Sequence, residues 1–124
     1  MIAAAELRDL CLGFPGSVET FPFGPHTSVF KVADKMFALS QLVAMPLRVS
    51  LKCEPPLAEQ LRAAHQAVLP GYHLNKRNWN TVLIDGSISD QAIKDMVEDS
   101  YDLVVSALPL ARRRQLGWER NPAT

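Results

Sequence analysis

Long apolar runs are missing from this 124-residue chain. No stretch approaches the roughly 20 apolar residues that a membrane helix needs, so no membrane partner is expected. The N-terminus, MIAAAELRDLCLG, has no basic leader and places Glu6 and Asp9 early, which argues against a secretory signal and for a cytoplasmic protein. Cysteine is scarce. Cys11 and Cys53 make no CxxC pair and no His/Cys ligand spacing, so two reduced, buried thiols are expected. An excess of charge is missing too: 13 Lys/Arg stand against 13 Asp/Glu. Dedicated DNA-binding domains are usually basic overall, so this balance weighs against nucleic acid. Catalytic signatures are absent, with no GxSxG, P-loop, HExxH or GxGxxG. His26, His65 and His73 have no carboxylate at ligand spacing, so neither a metal nor a cofactor is expected.

What is present is enough apolar material for one domain: 48% hydrophobic and 21% charged residues, close to an ordinary globular chain. The charge is also unevenly placed. Between residues 26 and 80 stand Lys31, Lys35, Arg48, Lys52, Arg62, Lys76 and Arg77 against Asp34, Glu54 and Glu59. From 81 to 111 only Lys94 opposes Asp85, Asp90, Asp95, Glu98, Asp99 and Asp102. A basic face and an acidic face follow from that segregation.

The periodicity gives an element order. Leu7, Leu10 and Cys11 mark a helix over 3–12 that Gly13, Pro15 and Gly16 end. In the loop SVETFPFGPHT, Phe21 and Phe23 are expected to clamp the chain to the core. SVFKV and KMFALSQL read as strands joined at Ala33-Asp34, where the missing glycine leaves the turn type open. In LRVSLKC, Leu47, Val49, Leu51 and Cys53 alternate with Arg48, Ser50 and Lys52, so one face is buried and the other solvated. Glu54-Pro55-Pro56 opens a second helix with Leu57, Leu61, Ala64 and Val68 as its stripe. NTVLIDG is a further strand. The last helix carries Ile93, Met96, Val97, Tyr101, Val104, Val105 and Leu108 at three- and four-residue spacing. Ser89 is its expected N-cap, and Ile88 with Ile93 its hydrophobic staple. The result is a two-layer α+β domain, α-β(3)-α-β(2)-α, with an antiparallel sheet covered by helices on one side. The domain spans 1–110, and 111–124, with Arg112, Arg113 and Arg114, is expected to be a basic, mobile tail after a turn or two of helix.

One segment fits neither core nor ordinary surface: PGYHLNKRNWNTV, 70–82. Lys76 and Arg77 could neutralise phosphates, and His73 and Trp79 could stack on a base or sugar. The plainer alternative packs His73 and Trp79 into the core and bonds the asparagines to loop backbone. The alternation predicts Tyr72, Leu74, Trp79 and Val82 as anchors, with His73, Lys76 and Arg77 facing outward. Arg48 and Lys52 on their strand face, with Lys31 and Lys35 on the adjoining hairpin, extend the cationic set.

Five pieces, in order, resemble the MmcQ/YjbR family of small bacterial proteins. They are PFG at 22–24, VFKVADKMFAL at 29–39, LKCEPPLAEQL at 51–61, PGYHLNKRNWNTV at 70–82 and DMVEDSYDLVVSAL at 95–108. The resemblance implies a compact α-β(3)-α-β(2)-α fold similar to secretion chaperones. It also implies DNA binding through a double-wing motif. On that reading the nucleic-acid contacts are Lys31, Lys35, Arg48, Lys52, His73, Lys76 and Arg77. A non-enzymatic adaptor, binding a protein partner or a second copy through the sheet, is the alternative. An enzyme acting on a small substrate beside Trp79 has the thinnest support.

Overall fold

In the computed structural model, which describes residues 1–118, the chain first forms helix α1, Ala4–Leu12. Strands β1 (Val18–Thr20), β2 (Ser28–Val32), β3 (Lys35–Ser40) and β4 (Leu47–Lys52) follow. Then come α2 (Pro55–Ala64), β5 (Val68–Pro70), β6 (Trp79–Ile84), α3 (Asp90–Ser106) and α4 (Leu110–Gln115). All pairings are antiparallel, in the order β1-β2-β3-β4-β6-β5. The architecture is the expected α+β domain with one strand added, and the turn or two of helix expected after Pro109 is α4. β1 is a three-residue edge strand lying within the expected loop. α4 occupies the start of the expected tail, and Leu116 and Trp118 after it pack against the core. Residues 119–124 of that tail lie outside the described residues.

Two local expectations are corrected. Val68 belongs to β5 and not to α2, which ends at Ala64 with His65 already extended. Spacing alone could not tell a fourth helical contact from a β-branched residue paired with Val82. Phe21 and Phe23 are 49% and 68% exposed and clamp nothing. Other features stand as read. The Ala33-Asp34 turn has positive φ at both residues, 49° and 64°, with Val32 paired to Lys35, as a two-residue type I′ hairpin requires. Ser89 caps α3, accepting from Ala92 N at 3.1 Å, and Ile88 and Ile93 are buried beside it.

Helices cover one face of the sheet. α3 lies across β3 and β4 and reaches β2, while α2 lies over β5 and β6. Leu7 and Cys11 of α1, Phe30, Val49, Val82, Ile93, Val97 and Val105 form the shared core. Near its edge Tyr101 stacks on Phe14 at 4.7 Å, meets Phe37 edge-on at 5.3 Å, and donates its hydroxyl to Pro15 O at 2.6 Å. That makes Tyr101 the expected core residue with a polar rim.

The ladder between β2 and β3 is interrupted. Phe30 faces Ala38 while Lys31 faces Met36, so Phe37 is an extra residue. A bulge of this kind turns two successive side chains toward one face. Phe37 and Ala38 are both fully buried. The Ser100 hydroxyl of α3 fills the gap this leaves beside β4: it donates to Phe37 O at 2.6 Å and accepts from Lys52 N at 2.9 Å. Ser100→Ala should therefore strand two buried backbone groups and lower stability by about 1–3 kcal/mol. Urea melts should show a lower midpoint at unchanged slope; an unchanged midpoint would mean that water replaces the hydroxyl.

Candidate nucleic-acid interface

The face of the sheet away from α2 and α3 is fixed by register, because directly paired residues share a face. One row crosses all six strands: Thr20, Val29, Leu39, Ser50, Thr81 and Leu69. Beside it lie Lys31 with Val18 and Met36, Arg48 with Leu83, and Lys52 with Trp79. The expected solvated cationic face is only half there. Val29, Ser50 and Thr81 are 1%, 4% and 2% exposed. Ser50 and Thr81 share a hydrogen bond of 2.8 Å, so Ser50 is a buried network residue. Lys31, Arg48 and Lys52 are half-buried, and the Arg48 Nε has no partner.

Over Ser50 and Thr81 the cover is the β5–β6 connection, residues 71–78, which leans onto this face. Tyr72 N donates to Thr81 Oγ1 at 3.0 Å, and Gly71 N donates to Trp79 O at 2.9 Å. Gly71 lies so close to Trp79 that a Cβ added to it would come within 2.7 Å of the Trp79 Cβ. Trp79 is 9% exposed, buried as expected, but by pairing with Lys52 it sits on the outer face, outside the main core cluster. It anchors the loop. The loop also closes on itself: Arg77 N donates to Asn75 Oδ1 at 2.9 Å, the backbone role expected of an asparagine here. Lys76 Nζ donates to Gly71 O at 2.9 Å, and Arg62 of α2 donates to Lys76 O at 2.8 Å.

His73, Lys76 and Arg77 face solvent, as the alternation predicts. Tyr72 does not anchor the segment; it is 63% exposed. Its backbone N–H ties the loop down while its ring stands out against the His73 ring, centroids 4.0 Å apart. His73 holds a left-handed φ of 57°. Sequence reasoning missed Tyr72 because an amphipathic ring next to buried neighbours reads equally well as anchor or as surface.

Strand direction places the remaining cations. β2 runs up to the Ala33-Asp34 turn, β3 runs back, β4 returns, and Lys52 at its end pairs with Trp79. The hairpin with Lys35, the end of β4 with Lys52 and the 71–78 loop thus share one end of the sheet. Lys31 lies near it, and Arg48 lies four residues back along β4. Among the described residues, ion pairs join the Met1 amino group to Asp90 at 3.3 Å and Arg8 to Glu19 at 2.9 Å. None of Lys31, Lys35, Arg48, Lys52, Lys76 or Arg77 takes part in either.

Of the two thiols, Cys11 is buried and pushed up to about 12 by burial and by Glu19. Cys53 is only half-buried, a correction to the expectation for it, with its thiol raised by burial and then by Asp99 and Glu54. Both are free. In the native protein at mild pH a thiol reagent should modify Cys53 slowly and leave Cys11 untouched until unfolding. Equal labelling rates would contradict the placement of Cys11. Among the described residues no cluster of His, Cys, Asp and Glu could hold a metal, and no helix is long and apolar enough to cross a membrane.

Against known proteins, a family model described as YjbR matches residues 12–103. YjbR of Escherichia coli K12, described as uncharacterized, is 39% identical over 112 residues, covering 90% of this chain and 95% of that one. YbdF of Escherichia coli O157:H7, described likewise, is 36% identical over 109 residues and 87% of each chain. The crystal structure of Deinococcus radiodurans protein DR2400 superposes with a TM-score of 0.89 at 42% identity, covering 96% of this chain and 91% of that one. A Pseudomonas syringae protein structure matches at 26% identity with a TM-score of 0.69, over 83% of this chain and 98% of its own. With the same α+β architecture read from sequence and structure alike, the chain belongs to the YjbR family.

Proposed function

We propose that the protein binds nucleic acid, DNA in the first instance, through the 71–78 loop and the cationic end of the sheet beside it. The observation that carries this reading is the exposed Tyr72–His73 ring pair beside cations that have no carboxylate partner among the described residues. Rings of this kind stack on bases or sugars, and the Lys76 and Arg77 charges meet phosphates without first breaking an ion pair. Lys35 and Lys52 extend the phosphate path, with Lys31 behind them, while Arg48 lies farther back and contributes less. The chain's zero net charge is no obstacle, since the acids concentrate on α3, across the sheet.

A fluorescence titration with a random duplex at two salt concentrations tests the reading. About four phosphate contacts give a slope of about −3.6 in log affinity against log salt, or about 150-fold weaker binding from 50 to 200 mM. Binding that ignores salt, or none at the lower salt, overturns it.

A second reading has its own support. Phe21, Phe23, Val43 and Met45 are exposed in the β1–β2 and β3–β4 loops, which share the opposite end of the sheet. A protein partner or a second copy docking there would bind through apolar contact, with little salt dependence.

A further inference from the structure

α2 carries an apolar stripe of which Leu61 packs against the core cluster and Leu57 does not. Its only fully buried side chain is Ala58, and Leu57 is 42% exposed. Leu57 and Leu61 face a cleft of about 560 Å³ between α2 and α3, floored by Leu51 and Val82 of the sheet and walled by Met96 and Leu103 of α3. Trp118 lines it as well, its Nε1 donating to Asp102 Oδ1 at 2.8 Å. Small-molecule sites have this size and this make-up, an apolar lining with a few polar groups.

The polar lining of the cleft sets Glu54, Asp99 and Asn80 beside the cationic Lys52 and Arg113. Asn80 is 2% exposed; its Nδ2 donates to Ala58 O at 3.3 Å, and its Oδ1 has no partner. A buried, unpartnered carbonyl is costly and calls for a donor. Asp99 and Glu54 stand at the rim without an ion pair among the described residues. The Asp99 carboxyl is held above its ordinary value by burial and then by Asp102 and Asp95. Lys52 also lines the cleft, although strand register pairs it with Trp79 of the outer face. Arg113 also lines the cleft, with its Nε unpartnered, and it is paired with neither Asp99 nor Asp102.

We propose that this cleft binds a small primary amine carried on an apolar body, the body lying against the leucines and the N–H donors taken by Asp99 and by Asn80 Oδ1. The site is separate from the loop proposed to bind nucleic acid, being on the helix-covered face. Three contacts define the class of ligand. The leucines and Trp118 ask for a hydrocarbon or aryl group, the unpaired carboxylate asks for a positive charge, and the orphaned carbonyl asks for an N–H.

The test uses the full chain labelled for amide NMR and three probes of matched shape: phenethylamine, 2-phenylethanol and phenylacetate. Phenethylamine should shift signals in 51–61, 80–82 and 96–103 with a dissociation constant of about 1 mM or lower, within reach of a fragment of this size. The alcohol should bind at least about tenfold more weakly, and Asp99→Asn should remove that preference by costing the amine about tenfold. Asp99 is on the surface of α3, so the variant should fold, and an unchanged melt confirms it. Amine and alcohol binding alike, tighter binding of phenylacetate, shifts confined to other regions, an indifferent Asp99→Asn, or no binding of the amine each overturn the proposal.

Discussion

Trp79→Ala should lower the unfolding free energy by about 3–5 kcal/mol, the usual cost of truncating a large buried aromatic ring. The loss should come from the outer face. Trp79 is 9% exposed and pairs with Lys52 on the outer face, so removing the ring leaves a void there. Urea unfolding measures the loss. Amide exchange in the loop should accelerate beyond what the global loss explains, because the loop closes on Trp79 through the Gly71 N–H bond to Trp79 O. A loss below about 1 kcal/mol would mean that the loop collapses into the space at little cost. Binding of duplex should weaken together with loop order.

Lys76→Ala with Arg77→Ala is the contrasting experiment. Both side chains are exposed, and the one bond they contribute, Lys76 Nζ to Gly71 O, lies within the loop. Stability should stay within about 1 kcal/mol of the parent, since exposed charges contribute little. Duplex affinity should fall and the salt slope should flatten by about two, one unit for each phosphate left without its cation. Tyr72→Ala should weaken binding and leave the slope where it was, because stacking releases no counterions. A double variant that unfolds as readily as Trp79→Ala would make the segment a structural clamp. One that folds normally and binds duplex as the parent does would remove these residues from the nucleic-acid role.

Much of the fold is legible in the sequence because single patterns fit single elements. α3 repeats its apolar residues at helical spacing over 17 residues, with a serine cap and an isoleucine staple, and no strand could use that pattern. β4 alternates cleanly, so its inner face is plain from the sequence. Its outer face is less so: Ser50 looks solvated in sequence, and only the register that sets it against Thr81 beneath a loop shows it buried. β6 explains why Trp79 could not be assigned to a face. In WNTVLI the apolar residues fall on both faces, so a period of two cannot say which face takes the tryptophan. β1 has three residues and no pattern to read. Family resemblance points to the fold and to the loop, but the alternation turns Tyr72 inward, where the structure has it 63% exposed.

Ser100 does more than satisfy two backbone groups. A strand with one buried face can slip past its neighbour by two residues and still keep its apolar side inward. Direct pairing of β3 with β4 is short, Ala38 with Leu51 and Leu39 with Ser50, and the Ser40 hydroxyl adds a tie by donating to Arg48 O. The Ser100 hydroxyl contacts both strands at once, at Phe37 O and Lys52 N. Any slip would remove one partner or the other and leave a buried group orphaned. The helix thus acts as a gauge of strand alignment, and because Lys52 also pairs with Trp79, the alignment it enforces sets the position of the loop at the cationic end of the sheet.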